Sequence, residues 1–249
     1  MSSSSGDQGA GARLVAARLV HGLVAAVVLF SLVLQLVLLF TGGTDANSGE
    51  SGTAIPLGTR LFRFFSFFTV QSNIIVGVVA VLLAVNPLRT GRVWQVVRLD
   101  SLLGIVITGL VYAIVLAPMV QLTGWAQVAN IGLHYVSPWA SLAAWLVFGP
   151  RPGFRVSTAV WAFLWPVLWL IYTFAHGAIS HWYPYPFLNA DALGLGQAVV
   201  NSLLVVLVAA VLAAVLLVID RRVPAVLTGP GPASARSADL IDEAATSVN

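Results

Sequence analysis

Thr69 and His134 are the pair whose types and placement suit nucleophilic chemistry. A threonine hydroxyl is a weak nucleophile until an adjacent base takes its proton, and a neutral imidazole can be that base. Each lies eight residues inside a long apolar segment, a depth of ~12 Å at the rise of an α-helix. Asn201 sits about seven residues into another such segment, Gln35 about five from the end of a further one, and Tyr172 and Thr173 under two turns from the end of another. Five apolar segments thus bring a hydrogen-bonding group to one layer. Helical spacing puts Thr69 and Asn73 on one face, and Asn130 and His134 on another, with Ser137 three further on. No carboxylate lies in the layer, so the arrangement is a dyad. Asn130 or Tyr172 would orient the imidazole, and Asn73 or Asn201 would donate to an oxyanion, a role worth ~3–4 kcal/mol.

The elements that must carry these residues are membrane spans. The chain has 249 residues, of which 59% are hydrophobic and 8% charged, and a mean hydropathy of +0.93. A soluble domain carries about 25% charged residues, and disorder needs low hydrophobicity with high charge, so both are excluded. Cysteine is absent, which removes disulfides, thiolate catalysis and cysteine metal sites. A net charge of +3 with no basic patch among aromatics gives no footprint for nucleic acid.

Six segments reach the roughly 20 apolar residues that a span requires: 19–40, 61–85, 101–121, 126–148, 157–179 and 194–219. The first is too long for a signal-peptide core and lacks a small-residue cleavage site, so it reads as retained. The expected architecture is an all-α membrane protein, a six-transmembrane-helix bundle in residues 19–222. Residues 1–18 and 223–249 are expected as disordered cytoplasmic ends. Ten of the 12 arginines fall on one side of the spans, with only Arg60 and Arg63 opposite, and the positive-inside rule then places both termini in the cytoplasm of a multi-pass protein of the cell membrane.

Unpaired polar groups cost several kcal/mol in hydrocarbon, so the polar faces must point inward, either to one another as interhelical glue or to a wet cavity. A lone Thr can bond its own preceding carbonyl; an ionisable residue inside a span is a functional candidate by default. Helices 2, 4, 5 and 6 are expected to enclose a pocket walled by Thr69, Asn73, Asn130, His134 and Asn201. Arg60 and Arg63 would sit at its rim, drawing an anionic head group or simply snorkelling. His21, at the end of the first span, is expected to be solvated. Pro118, Pro138 and Pro166 should each kink or break a helix and free carbonyls. The run Trp182-Tyr183-Pro184-Tyr185-Pro186-Phe187 has the composition of an interfacial belt, or of a rigid loop or lid over a pocket.

Three motifs carry a family resemblance: Phe64-Phe65-Ser66-Phe67-Phe68-Thr69-Val70-Gln71-Ser72-Asn73, Asn130-Ile131-Gly132-Leu133-His134-Tyr135-Val136-Ser137-Pro138, and Trp182-Tyr183-Pro184-Tyr185-Pro186-Phe187. Together they resemble the bacterial Pr-six-Pr integral membrane proteins across all six spans. More remotely the chain is similar to the androgen-induced membrane proteins of animals, which are intramembrane threonine hydrolases of fatty acid esters of hydroxy fatty acids. The resemblance implies Thr69 as nucleophile in the second span, His134 as second catalytic residue in the fourth, and Tyr185-Pro186-Phe187 as the run after the fifth. Gln71-Ser72-Asn73 belongs to the bacterial pattern only.

The expectation is an intramembrane hydrolase of ester lipids, needing no cofactor or metal. Its catalytic residues would be Thr69 and His134, with Asn73, Asn130, Asn201, Tyr172 and Arg63 around the substrate. A lipid- or small-molecule-binding or transport protein using the same cavity is the alternative, favoured if the polar layer continues toward the arginine-rich side, where Asp100, Ser101 and Thr108 are the polar residues. A haem electron carrier would need a second deep histidine opposite His134, with His176 as the best partner; a structural or assembly role is the remaining reading.

Overall fold

The computed structural model describes residues 3–52 and 54–227. Helices dominate and no strand occurs among these residues. Six helical segments are long and apolar enough to cross a membrane: Gly9–Thr41, Phe68–Val85, Arg92–Met119, Gly124–Phe148, Val156–Ser180 and Leu195–Arg222. This is an all-α membrane protein. Its outer faces carry exposed Leu, Val, Ile and Phe along the first and last spans, such as Leu23, Phe30, Leu203 and Leu207. Apolar side chains on such faces suit lipid, because each helix satisfies its own backbone.

The elements are α1 (Ser3–Thr41), α2 (Leu57–Ser66), α3 (Phe68–Val85), α4 (Arg92–Val111), α5 (Gly124–Ile131), α6 (Ser137–Phe148), α7 (Val156–Ala162), α8 (Leu164–Ser180), α9 (Ala190–Leu193) and α10 (Leu195–Arg222). α1 begins at Ser3, well before residue 19. The alanine-, arginine- and leucine-rich stretch ahead of the span has high helix propensity and continues it, so the expected loose leader is helix from Ser3 on. At the other end residues 223–227 return to the bundle: the Val226 and Leu227 amides donate to the Val147 and Phe148 carbonyls. The rest of the expected tail, 228–249, lies outside the described residues.

Four of the spans depart from a plain α-helix, and three do so ahead of a proline. In the third, α4 passes into a π turn, Tyr112–Leu116, followed by Ala117–Met119 with Pro118. In the fourth, a π turn, Gly132–Val136, separates α5 from α6 and precedes Pro138. In the fifth, α7 stops before Phe163, three residues ahead of Pro166. A proline removes the donor for the carbonyl one turn back, and a wider turn or a break absorbs the mismatch.

The second span was expected to run unbroken over 61–85 but breaks at Phe67, whose ψ of 130° is extended. No proline or glycine marks that break. The surrounding side chains hold it open. Trp169 Nε1 donates to the freed Ser66 carbonyl at 3.0 Å, Gln71 Nε2 to the Phe65 carbonyl at 2.9 Å, and Gln71 Oε1 accepts from Trp165 Nε1. Backbone groups orphaned in an apolar region must find such partners.

Candidate active site

The break makes Thr69 the second residue of a new helix, α3. Its amide is therefore one of the four N-terminal donors with no partner inside the helix. Tyr185 Oη accepts from it at 3.1 Å, with the Phe68 amide alongside. The Thr69 side chain lies 3.3 Å from His134 Nε2 and 3.1 Å from Tyr185 Oη. Thr69 and His134 are 2% and 1% exposed. Their distance is hydrogen-bonding reach for a nucleophile and its base, allowing for the looseness of a ligand-free site.

The π turn aims His134. Its ring stacks on Tyr112, itself the first residue of the other π turn, with centroids 3.8 Å apart and planes 23° from parallel. The extra residue in each wide turn rotates these two side chains toward each other. The same turn leaves a carbonyl over. The Ser137 amide reaches back to Gly132, and Pro138, next in line, has no N–H for Leu133. Asn73 Nδ2 fills the gap, donating to the Leu133 carbonyl at 3.1 Å and to the Thr69 carbonyl at 2.9 Å. Asn73 thus ties the backbone at Thr69 to the backbone beside His134. Gly132 lets α1 approach: a β-carbon there would overlap Ser31.

Tyr185 arrives from a loop folded back over the helix ends. α8 ends at His181 in the left-handed conformation, φ 53°. Gly177 lets the loop close down, since a β-carbon there would overlap the Tyr183 ring. Asn201 Nδ2 then donates to the Phe187 carbonyl at 2.9 Å. The Tyr185 ring stacks on Phe187 and meets Phe67 edge-on. Burial pushes the Tyr185 hydroxyl up to about 12, only partly offset by its Thr69 and Phe68 partners, so it stays neutral.

Thr69, but not His134, lines a pocket enclosing ≈ 780 Å³ of empty space, its mouth included. Apolar side chains of α4, α7, α8 and α10 make most of its wall; Thr69, Thr108, Trp169, Tyr185 and Ser202 are the hydrogen-bonding residues on it. Thr69 therefore meets both the imidazole and an apolar chamber.

Several expected site residues do other work. Of the five residues expected on the pocket wall, Thr69 alone lines it, and α4 supplies the wall expected of the fourth span. Both observed bonds of Asn73 are made by Nδ2, to backbone carbonyls, so it is a tie and not an oxyanion donor. Asn201 holds the loop and accepts from Gln197. Tyr172 bonds Ser66 Oγ at 2.7 Å and leaves His134 alone. Asn130 is buried beside the site, and its Oδ1 has no partner. His134 Nδ1 makes no well-formed hydrogen bond; the Asn130 backbone carbonyl is the acceptor it addresses. Arg63 pairs with Glu50 at 3.4 Å and stacks on Trp182, bordering a separate hollow with Arg60 and Asp45. Gln35 binds the Ala46 amide. His21, expected in solvent, is 5% exposed against Phe148, because its face of α1 turns inward, where Leu83, Arg98 and Trp145 line the same hollow. No haem pair forms: His176 packs on Phe62, Tyr172 and Trp182.

Tyr185 and Tyr112 were absent from the sequence-derived site. The π turns had a signal, Pro118 and Pro138; for Tyr185 the signal was the run read as a belt or a lid over a pocket and matched by the resemblance, with nothing to tell that its hydroxyl meets Thr69 across 116 residues.

No protein-family model, curated protein or solved structure matches the chain.

Proposed function

We propose that the protein is an intramembrane hydrolase of ester lipids, with Thr69 as nucleophile and His134 as general base, and that it belongs with the Pr-six-Pr proteins whose three motifs it resembles. The observation that carries this reading is the placement of Thr69 Oγ1 at 3.3 Å from His134 Nε2 and on the wall of an apolar pocket. A nucleophile needs both a base and access to substrate. Structural threonines in spans need neither.

The chemistry follows from the geometry. Nε2 carries the lone pair and Nδ1 the proton. As Thr69 Oγ1 bonds to the ester carbonyl carbon, its proton passes to Nε2 and the carbonyl electron pair moves onto oxygen. Collapse breaks the bond to the alcohol oxygen, which takes the proton from His134. Water then attacks the acyl-threonine, giving its proton to His134, which returns it to Thr69 as the acid leaves. An acyl chain lies in the apolar pocket meanwhile. The arginine asymmetry supports cytoplasmic termini and a site in the outer half of the cell membrane.

Transport is less well supported. Between the Thr69 layer and the arginine-rich end, Val24, Val28, Val76, Ala80, Ile105 and Val106 pack as a buried apolar cluster. Polar groups border it at the Ser72–Thr108 pair and at His21, Arg98 and Ser101, which share a hollow with Val24, Val76 and Ala80. A polar solute would need a continuous path through this layer.

The test is covalent labelling of the purified protein in detergent with a fluorophosphonate, followed by mapping of the adduct. An adduct on Thr69, with ester-lipid hydrolysis lost in Thr69→Ala, is the expected result. Hydrolysis that survives Thr69→Ala, or is undetectable in the wild type, would replace the enzyme reading with a binding one.

A further inference from the structure

An acyl-transfer site needs a donor for the oxyanion, and the asparagines that the sequence suggested are occupied elsewhere. The pocket wall narrows the choice. Thr108 Oγ1 donates to Ser72, Trp169 Nε1 to the Ser66 carbonyl, and Ser202 Oγ to the Ala198 carbonyl. Each of these donors is already taken. With His134 read as the base, the single hydroxyl proton of Thr69 goes to Nε2, 3.3 Å away. The 3.1 Å contact between Thr69 Oγ1 and Tyr185 Oη therefore has Tyr185 as donor, while Tyr185 Oη accepts the Thr69 amide.

Resting on the reading of Thr69 as nucleophile, we propose that Tyr185 is a further catalytic residue, the oxyanion donor. Its hydroxyl donates to Thr69 Oγ1 while no ester is bound and to the substrate carbonyl oxygen as the bond from Thr69 forms. The oxyanion grows on the carbon attached to Oγ1, so a small reorientation of one O–H serves both states. The proton stays on Tyr185 throughout, as burial of its hydroxyl favours. The exchange also matters for the nucleophile: an Oγ1 that accepts from Tyr185 has one lone pair masked, and the arriving carbonyl oxygen unmasks it. Donors fixed before the reaction stabilise the transition state without reorganisation. The stacking of Tyr185 on Phe187, its contact with Phe67 and the flanking Pro184 and Pro186 provide that rigidity.

Tyr185→Phe removes the oxygen and keeps the ring. In the purified protein, kcat for an ester lipid should fall about 100-fold, the scale of losing one oxyanion donor. KM, and binding of the matching ether lipid, which cannot be cleaved, should stay near wild type. Fluorophosphonate labelling of Thr69 should slow in parallel. Replacing Tyr185 with p-aminophenylalanine, which restores a donor at the same place, should recover much of the rate, and it also serves if the Phe variant folds poorly. Wild-type kcat in Tyr185→Phe would overturn the proposal, and so would a loss shared equally by ether-lipid binding and turnover, or a rate that p-aminophenylalanine fails to recover. These outcomes differ from failure of the enzyme reading, in which the wild type itself neither hydrolyses ester nor labels at Thr69.

Discussion

The two ends of the bundle both bury polar side chains, and they use them in opposite ways. At the arginine-rich end Asp220 accepts from the Gly153 and Phe154 amides at 2.7 and 2.8 Å. Arg98 donates to the Gly149 carbonyl, and Arg151 to those of Leu146 and Pro224. These groups pin the turn between α6 and α7 to the ends of α4 and α10. At the Thr69 end, Asn73, Trp169, Gln71 and Asn201 do comparable stapling. Inside that frame, however, a hydroxyl and an imidazole face each other beside a cavity. Charge is greater at the first end and burial is comparable, yet the bonds of Asp220, Arg98 and Arg151 named there all go to backbone. What distinguishes a site from a staple is a reactive atom that still has substrate to meet.

Breaking the dyad should have the largest effect. Thr69→Ala and His134→Ala should each lower ester hydrolysis more than 1,000-fold, and the double variant should be no worse, since such groups act as a unit. Thr69→Ser should retain part of the activity. Steady-state rates on the folded variants check this, and additive losses would count against a shared proton. The Tyr185→Phe effect comes next.

At the other end the readout moves from rate to stability. Asp220→Ala should cost about 2–3 kcal/mol, because it leaves two amides and the neighbouring guanidinium charge without their acceptor. Thermal unfolding in detergent measures it, with Thr69 labelling unchanged in the folded fraction; a selective loss of labelling would erase the contrast between the ends. Asn73→Ala should mix the two behaviours. Orphaning the Leu133 carbonyl should cost about 1–3 kcal/mol, with a modest rate loss as the backbones of Thr69 and His134 come untied. A rate loss as large as that of Tyr185→Phe at unchanged stability would return Asn73 to the oxyanion. Smallest of all is Ser72→Ala. Ser72 bonds the Phe68 carbonyl of its own helix and accepts from Thr108, so both labelling and melting should stay close to wild type.

The sequence by itself determined the spans and the pairing of depth. Hydropathy over some twenty residues is a local quantity, so the six segments were legible, though the first and third helices start well before the expected ends and the second span's long helix starts later, at Phe68. Counting along the helices put Thr69 and His134 at one depth, and Pro118, Pro138 and Pro166 marked three of the four irregular spans. Tertiary structure decided the rest. Nothing in Phe64-Phe65-Ser66-Phe67-Phe68 announces a break, because the groups that stabilise it, Trp169, Gln71 and Tyr185, lie on other elements or on the far side of the break. Asn73 and Asn201 looked like free amides because sequence carries no information about which carbonyls are left over, and those carbonyls took them. The run holding Tyr185 had the composition of an interfacial belt or of a lid over a pocket, and only packing brought its hydroxyl to 3.1 Å from Thr69 Oγ1. Patterns along a chain fix which residues prefer lipid; which donor meets which acceptor depends on helix rotation and loop closure, and those are set only when the whole bundle packs.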